Sequence, residues 1–224
     1  MSNPIVSLCM PTNGVVEWVF PVLDSIYKQG CDNNEFEIII TDNGTNKEFK
    51  DKIKTYNQQH FNLHYFETDA LPFINEIESY KRAEGQLIKF VNHRTLLVNG
   101  ALKQFINLAK NNINTKPVIY FANGMLKKEK KIYEYESFDQ FVKNLSYWSS
   151  WSTGMTIWKE DFDKERGEKF QQQYREALEQ AEKEGIVRFK NNYDFYVLAY
   201  PEKVNFFRVR RQWQNLLRMI RSKI

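Results

Sequence analysis

The 224-residue chain has little of what several common kinds of site are built from. It holds two cysteines, Cys9 and Cys31, and three histidines, His60, His64 and His93. Neither cysteine has a histidine or a second cysteine at metal-ligand spacing. This argues against a zinc site and a disulfide framework, and suits a reducing, cytoplasmic compartment. Long apolar runs are missing, since nothing approaches the ~18 residues of a membrane span. No basic segment leads into a long apolar one, as a secretory signal would. Acidic and basic residues nearly balance, 28 against 32, and a net charge of +4 is too small to indicate nucleic acid. Nothing in the aromatic pattern resembles an RNA-binding motif. No Gly-x-Gly-x-x-Gly follows the first apolar run and no Gly-Lys-Ser/Thr loop occurs, so neither of those phosphate sites is supported.

What is present describes a folded α/β chain. Hydrophobic residues make up 42% and aromatics 15%, well above a disordered composition. Residues 5–10 are apolar and stopped by Pro11, as a buried strand would be. Pro11, Thr12, Asn13 and Gly14 are turn chemistry. Residues 15–29 have helical spacing and end at Gly30. Residues 35–41 form a second strand that runs into Asp42, Asn43, Gly44 and Thr45. A polar helix over 46–59 and a short strand over 63–66 follow. Next come a helix over 73–84, a strand over 86–91 running into Asn92, His93 and Arg94, a helix over 101–110 and a strand over 117–121. A late strand is expected over 193–198. This alternation predicts a mostly parallel sheet flanked by helices. In such sheets ligands bind beyond the carboxyl ends of the strands, where the three polar turns fall.

Two readings of Asp42 stand on its spacing: it caps the Asn-Gly turn, or it binds a base or ribose. His93 is either a turn residue or a ligand. Tyr147, Trp148 and Trp151 lie among serines. They form either a sugar-stacking surface or a core patch under a loop. Residues 206–224 carry six basic and no acidic side chains, with Val209, Trp213, Leu216, Leu217 and Ile220 at helical spacing. The remaining 205 residues are therefore mildly acidic, and the basic balance comes from one amphipathic segment. Such a helix lies on an anionic membrane surface, packs back on its own domain, or joins a partner. The expected division is residues 1–205 as the α/β domain and 206–224 as the helical appendage.

The strand ending in Pro11, Thr12 and Asn13, followed by a helix and a strand ending in Asp42, Asn43, Gly44 and Thr45, resembles the opening of a GT-A (Rossmann-like) nucleotide-sugar glycosyltransferase. The resemblance is to the large inverting family that builds bacterial surface polysaccharides, and it covers roughly residues 4–162. It implies that Pro11, Thr12, Asn13, Asp42 and Asn43 line a nucleotide pocket, most often for uracil, and that Asn75 lies near the diphosphate. It also implies that residues 152–162, with Thr153 and Gly154 beside Trp148 and Trp151, face the acceptor. The implied partners are a UDP-sugar donor and a glycan acceptor; where residues 206–224 lie on a membrane, they place the domain at its inner face beside a lipid-linked acceptor.

The departure from the family is at Asn92, His93 and Arg94, where an Asp-x-Asp motif normally holds Mn2+ or Mg2+. Hard cations favour carboxylate oxygens. Either Asn92 and His93 ligate a metal weakly while Arg94 neutralises the diphosphate, or the chain is a catalytically degenerate relative that binds a nucleotide or glycan, or scaffolds an assembly. Inverting transfer also needs a carboxylate base. Glu160 and Asp161 are the candidates, with Asp161 as the base, and Asp69 after the third strand is another. Alternatively, Glu160 and Asp161 simply begin a helix, where acids suit the dipole.

Overall fold

A computed structural model describes residues 3–71, 74–121, 133–137, 140, 154–162, 167–169, 172 and 176. The chain divides into two compact units, Met1–Lys164 and Glu165–Ile224, and the architecture below is that of the first.

Its strands are β1 (Val6–Thr12), β2 (Phe36–Asp42), β3 (Leu63–Glu67), β4 (Leu87–Phe90) and β5 (Thr156–Trp158), in the order β3-β2-β1-β4-β5. The first four are mutually parallel, and β5 pairs antiparallel with β4. The helices are α1 (Val16–Tyr27), α2 (Lys47–Gln59), α3 (Ile74–Lys81) and α4 (Ala101–Asn111). The sheet is thus mixed but mostly parallel, flanked by helices.

Residues on alternate sides of each strand enter different cores. Val6, Leu8 and Met10 of β1 and Phe36, Ile38 and Ile40 of β2 pack on α1, α2 and α4. Cys9, Ile39 and Ile88 turn to the other face with Ala83 and Tyr80. Because both faces are covered, β1 and β2 are almost wholly buried, as parallel strands require. Helix α1 buries Val19, Val22, Leu23 and Ile26, each worth roughly 1.5–3 kcal/mol.

The chain lays β2 and then β3 to one side of β1 before α3 carries it back to place β4 on the other. The crevice between β1 and β4 is therefore the point where strand order reverses. A binding site is expected outside the carboxyl ends of these two strands.

Two differences from the sequence reading concern the last part of the sheet. The segment 117–121 makes an isolated bridge, Tyr120 with Met155, rather than a strand, and Val118 is 74% exposed. The added strand is instead Thr156–Trp158, held by Thr156 Oγ1 donating to Ile119 O and Trp158 Nε1 donating to Pro117 O. A three-residue strand of mixed burial leaves too short a period for sequence to register. The expected strand at 193–198 and the helix at 206–224 lie outside the described residues, and among the described residues no helix is long and apolar enough to cross a membrane.

Candidate functional site

Three turns meet at the carboxyl edge of the sheet, and short polar contacts tie them together. Thr12 ends β1, and its hydroxyl oxygen accepts from Gly14 N–H at 3.1 Å. This closes a local turn that places Gly14 at φ +75°. The same hydroxyl lies 2.8 Å from His93 Nδ1, so one side chain bridges the turns after β1 and β4. Asn43 N–H donates to Thr12 O at 3.1 Å, joining the turns after β1 and β2.

Asp42 ends β2 with its side chain 1% exposed. Its Oδ1 accepts from Gly44 N–H at 2.8 Å, and its Oδ2 accepts from Tyr65 O–H at 2.9 Å. Burial raises its pKa, and those two donors work against the rise. The geometry is that of a turn cap, the first of the two readings of Asp42. Asn43 donates from Nδ2 to Ala70 O at 2.8 Å and is half-buried, whereas Asn13 is exposed.

Asn75 is 3% exposed and fully engaged by the protein. Its Nδ2 donates to Thr41 O at 2.8 Å and to Thr12 O at 3.3 Å, and its Oδ1 accepts from Thr68 Oγ1 at 2.9 Å. It therefore clips the ends of β1 and β2 together. Asn46 enters the sequence analysis only as the first residue of a polar helix. It caps α2 by accepting from Phe49 N–H and donates to Gly14 O at 3.0 Å. Its signal, an Asn three residues before an apolar helical position, was available in the sequence.

On the β4 side, Asn92 Oδ1 accepts from Arg94 N–H at 3.0 Å, which folds the turn on itself. The His93 ring lies 5.3 Å from Trp18 in the first turn of α1, and the Arg94 guanidinium lies 4.9 Å from the same indole. Burial, reinforced by Arg94, lowers the His93 pKa to about 4, so the imidazole is neutral near pH 7. Trp18 was also missed, because at helical spacing it reads as an ordinary surface position of α1.

Lys89 is the third residue missed. It is 3% exposed on β4, where its Nζ donates to Phe90 O at 2.9 Å and lies within 6 Å of the Phe105 and Phe121 rings. Burial lowers its pKa to about 7, against a partial rise from Glu76. A lone lysine in an apolar strand was its signal. Between pH 7 and 10.5 this amine binds fewer protons folded than unfolded, so its contribution to stability rises with pH across that window. Lys89→Met removes the penalty. It is expected to exceed the parent's stability by on the order of 3 kcal/mol near pH 7, with the gap closing toward pH 10. Urea midpoints at the two pH values check this, and a gap independent of pH rejects it.

Glu160 and Asp161 are not brought to this edge. β5 runs antiparallel to β4, with Trp158 beside Leu87, and Lys159 N–H donates to Gln86 O. The short 3-10 turn Lys159–Asp161 therefore follows the end of β5 that adjoins the start of β4. Four residues of β4, at about 3.3 Å each, separate that edge from the turns described above. Glu160 pairs with Lys116 there and Asp161 is exposed. The direction of β5 sets this edge for them, apart from the turns after β1, β2 and β4. Gly154 is buried on the opposite side of β5, next to Tyr120 and Phe121, and accepts from Phe121 N–H at 2.8 Å. Asp69 is exposed just beyond β3. Trp148, Trp151 and Thr153 lie outside the described residues.

The donor set at the β1–β4 crevice does not fit a hard divalent cation. Asn92 spends its oxygen on its own turn, His93 Nδ1 faces Thr12, and both Asp42 oxygens accept internal bonds. Among the described residues no group of three His, Cys, Asp or Glu side chains is placed to hold a metal.

No family model matches the sequence, and no curated protein matches it. Solved structures do resemble the fold. TarS 1-349 of S. aureus in complex with UDP-GlcNAc aligns at TM-score 0.46 and 20% identity, over 58% of this chain and 37% of that one. The mannosyltransferase PcManGT of Pyrobaculum calidifontis, in complex with GDP-Man and Mn2+, aligns at TM-score 0.43 and 17% identity, over 54% of this chain and 35% of that one. This chain thus spans little more than a third of the length of these two structures.

Proposed function

We propose that this chain is a nucleotide-sugar-dependent glycosyltransferase domain whose donor nucleotide lies across the carboxyl ends of β1, β2 and β4. The observation that carries the reading is the Thr12–His93 contact at 2.8 Å, which spans the crevice where strand order reverses. Ligands of open α/β sheets bind at that place. The likeness of residues 11–13 and 42–45 to the nucleotide-binding turns of the GT-A family supports the same assignment.

In this reading Pro11, Thr12 and Asn13 contact the nucleotide, with Asn13 the exposed side chain of the three. Asp42 and Asn43 hold the base end of the pocket in shape, and a uracil nucleotide is the proposed donor. His93 and Arg94 face the diphosphate. The acceptor is a bacterial surface glycan that stacks on Trp148 and Trp151, near Thr153 and Gly154, and transfer proceeds with inversion. The basic segment 206–224 brings the domain to the inner face of an anionic membrane.

The second reading is a catalytically degenerate relative that binds a nucleotide or glycan without transfer. It is favoured by the missing metal-binding carboxylates at Asn92, His93 and Arg94 and by the position of Glu160 and Asp161. Nucleotide release from a panel of UDP-, GDP- and dTDP-sugars, alongside nucleotide binding by calorimetry, separates the two. Release with one donor is the expected result. Binding without release supports the second reading, and neither binding nor release rejects both.

A further inference from the structure

We infer that His93 serves the bound nucleotide as a neutral hydrogen-bond donor, its ring hydrogen held on Nε2 by Thr12 and offered to a phosphate oxygen. The inference rests on the nucleotide-site reading above. It follows from counting hydrogens around the Thr12 hydroxyl. Thr12 is 3% exposed, so its O–H must find an acceptor within the protein. Two groups meet its oxygen: Gly14 N–H donates to it at 3.1 Å, and His93 Nδ1 lies 2.8 Å away. Among the described residues Nδ1 is the one acceptor within reach of that O–H. A hydrogen on Nδ1, as in the other tautomer or the charged ring, would leave the hydroxyl hydrogen buried and unpaired. The hydroxyl therefore donates to Nδ1, and the ring hydrogen sits on Nε2.

Among the described residues nothing accepts from Nε2. The ring is half-buried, and Nε2 is not one of the buried polar atoms left without a partner, so this N–H opens to solvent at the crevice. The Trp18 ring, 5.3 Å away, flanks the imidazole, and burial keeps it neutral near pH 7. Strand order says which part of a nucleotide reaches it. The turn after β2 sets the base end of the proposed pocket, and β4 lies on the opposite side of β1. A nucleotide running from β2 across β1 therefore brings its phosphates, and not its base, to His93. Phosphate oxygens are strong acceptors. A nitrogen that carries a hydrogen has no lone pair for a cation, and Nδ1 spends its own on Thr12. His93 is thus a phosphate-binding residue and not a metal ligand, and Thr12 fixes its ring.

Two measurements on the full chain test this. Long-range proton–nitrogen correlation spectra at pH 7 read which ring nitrogen carries the hydrogen, and His93→Gln identifies the His93 signals among the three histidines. The expected pattern is a hydrogen on Nε2 alone, with the Nε2 signal moving on addition of a nucleoside diphosphate but not of the nucleoside. A hydrogen on Nδ1, or on both nitrogens, overturns the inference. Calorimetry then compares UDP, GDP, dTDP and CDP with the matching nucleosides, in buffer containing Mg2+. His93→Ala is expected to weaken the diphosphate about tenfold and the nucleoside by less than about twofold. His93→Gln, whose amide can stand where Nε2 stood, is expected to recover part of the loss. His93→Asn, whose amide stands near the place of Nδ1, is expected to recover none. An alanine effect that is nil, or equal for nucleoside and diphosphate, overturns the inference and leaves the nucleotide site standing. So does recovery by His93→Asn alone. Absence of binding by every nucleotide overturns the nucleotide-site reading itself.

Discussion

Gly44→Ala is expected to lower stability by at least about 3 kcal/mol, because the Asn13 backbone and the Asp42 carboxylate leave no room for a methyl group. A Cβ built on Gly44 stands 2.0 Å from the carbonyl oxygen of Asn13 and 3.0 Å from Asp42 Oδ1. The first neighbour is backbone, and the second is a carboxylate held by hydrogen bonds. Asn13 is fixed between the Thr12–Gly14 bond and the Asn43–Thr12 bond, and Asp42 Oδ1 is held by Gly44 N–H. Relief requires the turns after β1 and β2 to separate, which breaks the hydrogen bonds that join them and widens the proposed nucleotide pocket. Urea denaturation measures the first effect and nucleotide titration the second. Gly30→Ala is the control, since Gly30 has φ +64° and nothing within 4 Å of its built Cβ. It should cost only the left-handed backbone preference, about 1–2 kcal/mol, and leave binding unchanged. Equal costs at the two positions would mean that the turns are not in contact.

Asn75 carries the second large effect. Asn75→Ala removes three hydrogen bonds and takes this partner from the buried Thr12 O and Thr41 O and from the half-buried Thr68 Oγ1, a loss of about 2–4 kcal/mol. Asn75→Asp keeps the shape and separates the donor's part from packing. At neutral pH it sets a carboxylate against the carbonyl oxygens of Thr12 and Thr41, so it should be at least as damaging as alanine. Its folded pKa is then raised above the unfolded value, and the folded form holds the extra proton. Stability relative to the parent should therefore recover in part as pH falls toward the ordinary aspartate range near 4, where the protonated acid can donate one of the two bonds that the amide donated. Urea midpoints of parent and variant at pH 7 and 4.5 decide the matter. A deficit equal at both pH values would assign Asn75 to packing alone.

Both residues show why only part of the site was legible in the sequence. The turn signals at 11–14 and 42–45 were readable because Pro, Asn, Asp and Gly act on their own backbone, within two or three residues. Asp42 illustrates this: its bond to Gly44 N–H was foreseeable from spacing, whereas its bond to Tyr65, from the neighbouring strand, was not. Asn75 pointed toward the site through a family likeness, yet its burial and its clip between two strand ends depend on where α3 docks. Trp18 and Arg94 stand 76 positions apart, and no local pattern links them.

By itself the sequence determined the alternation of strand and helix over the first 111 residues and the polar character of the turns after β1, β2 and β4. These follow from apolar periodicity and turn chemistry, which are local. The tertiary structure decided which turns meet. Strand order placed β4 beside β1 and so brought His93 to Thr12. The antiparallel run of β5 sent Glu160 and Asp161 to the far edge. The physical reason is that pairing partner and strand direction are set by contacts between distant segments. A strand's own residues carry the period that makes it a strand, but not the neighbour it will choose.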